Sequence, residues 1–98
     1  MILQKFIKQP ADVKDYDIDY SEWLATGDAI STYEAEVECV EGTDDDTLVV
    51  DSQSATSSVL KTWLSGGTAG CTYKVTVTIV TTGGRTQQDE FKVKVKDY

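Results

Sequence analysis

Hydrophobic and polar residues alternate with a period of two along most of the chain. In residues 32–39 an apolar or aromatic side chain occupies every second position, and most positions between them are acidic. The same alternation runs through residues 15–20, 71–81 and 91–96. Because successive side chains of a strand point to opposite faces, each segment predicts a strand with one core face and one solvent face.

Glycines separate these segments. Gly83 and Gly84 stand between the last two long segments and allow the positive φ values of a tight hairpin. Residues 66–70 and 42–46 are predicted to be loops, since they are rich in glycine or aspartate. About six or seven short strands with regular turns favour a β-sandwich over a helical or α/β fold.

Tyr73 narrows the fold prediction. It stands at the start of the penultimate strand, two residues before Val75, where immunoglobulin-like sandwiches carry a tyrosine corner. The alternative is a half-buried strand aromatic. We therefore predict an all-β, immunoglobulin-like antiparallel sandwich of about seven strands. Residues 13–98 are its single domain, and residues 1–12 are predicted to be an extended N-terminal arm outside the core.

Composition excludes several functions. The chain has 98 residues, 17 acidic against 9 basic, a net charge of −8 and no histidine. The charge disfavours nucleic acid as a partner. Because the chain has no imidazole, it has neither a catalytic histidine nor a histidine-ligated metal. No apolar run approaches the roughly 20 residues of a membrane span, so no membrane is expected. The start lacks a cleavage site, which predicts synthesis in the cytoplasm without a signal peptide and with reduced cysteines.

The two cysteines are predicted to stay unbridged. Cys39 ends the second alternating strand and Cys71 opens the sixth. If those strands run in the same direction in facing sheets, the two residues lie at opposite ends of the domain. A disulfide needs Cα atoms within about 7 Å.

The acidic residues form two rows. One consists of Asp15, Asp17 and Asp19, and the other of Glu34, Glu36 and Glu38. A hairpin between these strands would place like charges opposite each other, which is destabilising. Two arrangements would relieve this repulsion, and both stay open. The first strand could pair with the last, which carries Lys92, Lys94 and Lys96, or a partner protein could cover the acidic face.

Candidate chemistry is sparse. The aspartates on a flat strand lie too far apart to share one calcium ion, and the loop at residues 44–46 is only slightly better suited. No metal, cofactor or catalytic residue is expected, and a glycosidase carboxylate pair lacks a cleft in so small a sandwich. Trp23 and Trp63 are either core residues, which we favour, or sugar-stacking platforms.

Partner-binding residues are predicted at three places: the apolar side chains of the arm, the first acidic row and the glycine loop. They are Ile2, Leu3, Phe6, Ile7, Asp15, Asp17, Asp19, Gly66 and Gly67. An apolar set outside the core calls for a covering surface on this domain, a neighbouring copy or another protein. Tyr73, Trp23 and Trp63 are assigned structural roles.

Two segments resemble a family of small tailed-bacteriophage structural proteins, the phage fibre–tail adaptor proteins. The sequence of residues 15–24, followed by Gly-Asp at 27–28, resembles the family's opening. Residues 63–70, Trp-Leu-Ser-Gly-Gly-Thr-Ala-Gly, resemble its second half and are the specific part. The chain departs from the family pattern in its hydrophobic arm, its aspartate-rich loop and Cys71, where threonine is expected.

The resemblance implies a non-enzymatic virion component that links tail or neck to fibre or neighbouring subunits by protein–protein contacts. It also implies several copies around a cyclic axis, arranged head to tail. A head decoration or cement protein on the capsid is an alternative. A carbohydrate-binding module for the host surface, using Trp23 or Trp63, is a second alternative, and a small hydrolase is a third.

Overall fold

Two β-sheets pack face to face. The computed structural model describes residues 2–42 and 47–96, with side chains from Phe6 onward. Its strands are β1 (Ile2–Lys8), β2 (Lys14–Asp19), β3 (Ile30–Glu41), β4 (Leu48–Ala55), β5 (Val59–Gly66), β6 (Thr72–Thr81) and β7 (Thr86–Val95). The sheets have the strand orders β1-β7-β6-β3 and β2-β5-β4. All strand pairs are antiparallel except β1 with β7, which is parallel. The all-β sandwich is thereby confirmed, and the immunoglobulin-like assignment stays a prediction.

The core lies between the sheets and follows from the alternation along the strands. From Tyr73 to Ile79 in β6 and from Asp89 to Val95 in β7, every second residue is 0–2% exposed. Leu60 and Leu64 of β5 oppose them from the other sheet and are fully buried. Each such side chain stabilises the fold by about 1.5–3 kcal/mol relative to an exposed position.

Residues 2–8 form an edge strand and not the expected arm outside the core. Phe6 pairs with Val93 of β7, and its ring packs against Tyr16 and Phe91 at centroid distances of 4.8 and 5.7 Å. Lys96 continues the pairing, since its backbone N–H donates to the carbonyl of Lys8. The parallel partner lies at the far end of the chain, so local periodicity could not reveal it.

The acidic rows are kept apart by the topology. β2 and β3 lie in different sheets, so the hairpin that would oppose Asp15 to the glutamates does not form. β2 pairs with β5 and not with the last strand, so the proposed neutralisation by the lysines of β7 is also wrong. Lys61 of β5 takes that role on one sheet, and Lys74 of β6 takes it on the other.

The cysteines lie at the same end of one sheet, not at opposite ends of the domain. Cys39 of β3 is opposite Tyr73 of β6 in an antiparallel pair, and Cys71 lies just before β6. The geometric reason for expecting no bridge was therefore wrong, because these strands are neighbours in one sheet. No disulfide joins Cys39 to Cys71 in this structure. The thiol of Cys39 donates to the carbonyl of Glu41 at 3.3 Å.

Candidate interaction surfaces

The apolar set of β1 is divided between the core and the surface. Phe6 is half-buried and belongs to the aromatic cluster with Tyr16 and Phe91. Ile7 points the other way and is 48% exposed. The side chains of Ile2 and Leu3 lie outside the described part of the chain.

The aspartates of β2 lie exposed on the outer face of the sheet β2-β5-β4. Lys61 lies opposite Asp17, and its Nζ is 3.1 Å from an Asp15 oxygen and 4.0 Å from an Asp17 oxygen. The Lys61 ammonium lowers the pKa of Asp15, and Asp15 in turn raises the pKa of Lys61. Asp19 accepts a hydrogen bond from the backbone N–H of Ser21 at 2.8 Å. The row is therefore partly neutralised by its own sheet.

The glycine loop has a packing role. Gly66 and Gly67 have φ values of +78° and +98°, a conformation that side chains other than glycine rarely adopt. A Cβ at Gly66 would overlap the carbonyl oxygen of Thr47, and one at Gly67 would lie 2.7 Å from a methyl of Val95. The loop is thus packed closely against Thr47 and Val95, which leave no room for a side chain at either glycine.

Lys8 fastens this loop to β1. Its side chain is 1% exposed, and its Nζ donates to the carbonyls of Gln9 at 2.8 Å, Pro10 at 3.3 Å and Gly66. Desolvation by burial lowers the pKa of Lys8, and the nearby Asp12 opposes that shift. Sequence reasoning missed this contact, since a lysine at a strand end is usually exposed.

Tyr73 lies at the same end of the sandwich as the glycine loop. Its ring is fully buried, and its hydroxyl accepts the backbone N–H of Thr68 at 2.9 Å. The hydroxyl of Thr47 lies 3.2 Å from the same oxygen. A bond to backbone a few residues upstream is the contact that a tyrosine corner makes.

The two tryptophans differ in position. Trp23 is half-buried against the core, with Tyr20 edge-on at 6.0 Å and the guanidinium of Arg85 stacked 4.1 Å from its ring centroid. Trp63 is half-buried but lies on the outer face of its sheet, opposite Asp15. The core expectation fails for Trp63 because strand alternation turns its neighbour Leu64 inward.

Asp28 joins two loops at the opposite end of the sandwich. Its Oδ1 accepts the hydroxyl of Thr82 at 2.7 Å and the backbone N–H groups of Gly83 and Ala29, each at 2.9 Å. These bonds, the Thr82 hydroxyl first, hold the pKa of Asp28 well below its usual range. An open groove of about 390 Å³ lies beside it and is bordered by Arg85. The sequence showed Gly-Asp only as a turn, since Thr82 and Gly83 lie more than 50 residues away.

A buried carboxylate lies in the core. Asp89 is 2% exposed and accepts a hydrogen bond from the side-chain amide of Gln87 at 3.0 Å. Burial raises the pKa of Tyr20, and the Asp89 carboxylate nearby raises it further. The Tyr20 hydroxyl nevertheless has no hydrogen bond of good geometry, so this contact is electrostatic.

The outer face of the sheet β1-β7-β6-β3 is acidic along β3 and carries both signs of charge along β7. Glu34, Glu36 and Glu38 follow its β3 side, and Lys92 and Lys94 follow β7. β6 lies between them, and its Lys74 is 3.6 Å from a Glu38 oxygen and 3.2 Å from a Glu90 oxygen. Glu90 is the main cause that raises the pKa of Lys74.

The described residues bring together no group of three metal-ligating side chains, and the aspartates at 44–46 lie outside them. None of the described residues belongs to a helix long and apolar enough for a membrane span. The molecule belongs to the class of small all-β sandwich domains, with charged sheet faces and with loops held by side-chain hydrogen bonds.

The family comparison agrees with that class. The chain belongs to the Gp77 family, described as podophage GP4 fiber-tail adaptor protein gp77, whose model matches residues 8–94. No curated protein matches the chain. The resemblance noted in the sequence is confirmed, and it assigns the chain to the phage structural proteins that join fibre and tail. An adaptor of this kind contacts tail and fibre proteins.

Proposed function

We propose that this domain is a non-enzymatic virion adaptor that holds a fibre or neighbouring subunit on the tail or neck by protein–protein contacts. The observation that carries the proposal is the family match over residues 8–94. The geometry supports it, because the exposed carboxylates lie along flat strands and pair with lysines such as Lys61 and Lys74. We further propose that several copies surround a cyclic axis and that no nucleic acid takes part.

Localisation in the particle tests the adaptor role. Particles assembled without this protein are expected to carry tails that lack fibres, and added purified protein should restore fibre attachment. An electron-microscopy map of complete particles should show its density at the junction of tail and fibre. Density on the faces of the capsid shell would overturn the adaptor role in favour of a head decoration protein.

Trp63 favours a second candidate function, the binding of host-surface carbohydrate. Its indole lies on an outer sheet face, with Asp15 directly opposite it across the strand pair. An aromatic face flanked by polar groups suits a sugar ring. Titration with oligosaccharides should then quench tryptophan fluorescence in the native protein and not in Trp63→Ala. Unchanged fluorescence in the native protein would refute this candidate.

A further inference from the structure

β3 is an uncovered edge of the four-stranded sheet. It has 12 residues, and in the described part of the chain no strand bonds to its outer side. The facing sheet has three strands and covers β3 incompletely, so Tyr33 on the inner side is still 39% exposed. A long edge strand with half-exposed apolar side chains is a template for pairing with another chain.

The charges along this edge are largely unpaired. Glu34, Glu36 and Glu38 are exposed on its outer face. Among the described residues, Lys74 contacts Glu38, and no cation lies within ion-pair distance of Glu34 or Glu36. A basic surface would therefore meet an acidic row that is still accessible.

On the opposite side of the same sheet, the outer face of β7 carries Glu90, Lys92 and Lys94. Lys92 of β7 is opposite Lys74 on one side and Lys5 on the other, so three lysine positions share one row across the strands. Like charges opposite one another are destabilising. Within the described residues, neither Lys92 nor Lys94 has a carboxylate at ion-pair distance.

The direction of the strands allows the two sides to meet. β1 is parallel to β7, and both β7 and β3 are antiparallel to β6. β1 and β3 therefore run in the same direction on opposite edges of one sheet. A second copy in the same orientation would place its β1 beside β3, about 4.8 Å away, and its β7 one strand spacing further. Without stagger, Glu38 of one copy lies in line with Lys92 of the next, since both are in the row of Lys74.

We propose that the free edge of β3 pairs with β1 of a second copy of this chain, with Glu38 and Glu41 of one copy in line with Lys92 and Lys94 of the next. The two contacting surfaces are different, so the contact is head to tail and repeats into a ring or an open chain. The inference rests on the proposed adaptor role for the presence of several copies in one particle. The net charge of −8 opposes association in general, so the match between these two rows decides whether copies join.

Charge reversal in purified protein tests the contact. Sedimentation equilibrium is run at about 0.15 M salt, where screening weakens long-range repulsion more than contact between the rows. The native chain should exceed its monomer mass of 10.8 kDa at protein concentrations up to about 1 mM. Glu38→Lys with Glu41→Lys, and separately Lys92→Glu with Lys94→Glu, should each weaken association at least about tenfold.

Mixing the two double variants is the decisive step. The first variant has two basic surfaces and the second has two acidic ones, so an equimolar mixture should associate again although neither does alone. The control Asp17→Lys with Glu22→Lys matches the first double variant, because it makes the same change in net charge on exposed positions elsewhere, and it should associate like the native chain. Thermal unfolding of each variant confirms that it is folded.

Three results would overturn the edge pairing: a native chain that stays monomeric, a mixture that stays monomeric, or a control that loses association equally. Each of these leaves the adaptor role untouched, because that role is decided by the position of the protein in the particle. Fibre attachment without any self-association would separate the two conclusions directly.

Discussion

The Tyr73 hydroxyl offers the sharpest test of what holds the loop end of the sandwich. Tyr73→Phe keeps the ring, so the apolar packing of this fully buried side chain is unchanged. The change removes the acceptor of the Thr68 N–H at 2.9 Å and the contact with the Thr47 hydroxyl at 3.2 Å. Thr47 keeps the hydroxyl of Thr68 as a partner at 3.0 Å, so the main loss is one backbone donor.

An unsatisfied, partly buried N–H costs about 1–3 kcal/mol, so we expect Tyr73→Phe to lower the free energy of unfolding by about 2 kcal/mol. For a domain of this size that lowers the melting temperature by about 10 °C. Urea unfolding followed by circular dichroism gives the free energy, and a thermal scan gives the temperature. The slope of the urea transition should stay the same, since the buried surface does not change.

Tyr33→Phe is the matched control. Its hydroxyl reaches the carbonyl of Gln53 at 3.5 Å from a side chain that is 39% exposed, so water replaces the lost partner. We expect a change below about 0.5 kcal/mol. If Tyr73→Phe is equally mild, or if both variants lose the same stability, the Tyr73 hydroxyl does not hold the loop and the reasoning is refuted.

Three further predictions concern stability. Gly66→Ala should lower the free energy of unfolding more than Gly70→Ala does. Both glycines have positive φ, but only at Gly66 does the added methyl meet a carbonyl oxygen. Equal urea midpoints would contradict this. Ile79→Ala should cost about 2–5 kcal/mol by opening a cavity in the core, and a loss below about 1 kcal/mol would show that the sheets close over the gap. Asp28→Asn should lower stability at neutral pH. Because the folded pKa of Asp28 is depressed, its contribution is present above its unfolded pKa near 3.9 and lost as pH falls through the lower folded value. The difference in unfolding free energy between the variant and the native protein should therefore become smaller in acid. A difference that does not change with pH would refute the stabilising role of the Asp28 carboxylate.

Alternation along the chain was enough to assign the inward and outward faces of most strands. The inward positions of β6, such as Val75 and Ile79, are buried as predicted. Trp63 shows where residue type was a poor guide. A large aromatic residue suggested a core position, but strand alternation places its side chain on the outer face. Periodicity outweighs residue type in a strand whose two faces see different surroundings.

The strand partners could not be obtained from the pattern. Period-two alternation tells which side of a strand is buried and says nothing about which strand lies beside it. The neutralisation of Asp15 by Lys61, the closeness of Cys39 to the start of β6 and the place of β1 all depend on pairing between distant segments. The same limit hid the contacts of Asp28 and Lys8, whose partners are backbone groups of remote loops.

The parallel pairing of β1 with β7 has a consequence for how the chain is made. A ribosome produces β1 long before β7, and during that interval Phe6 has no sheet to join. Contacts between segments so far apart in sequence form late in folding, and they slow the folding of β-rich domains. A nascent chain therefore carries an exposed, aggregation-prone strand until its last strand emerges. Co-expression of a chaperone that shields such strands should accordingly raise the soluble yield of this protein.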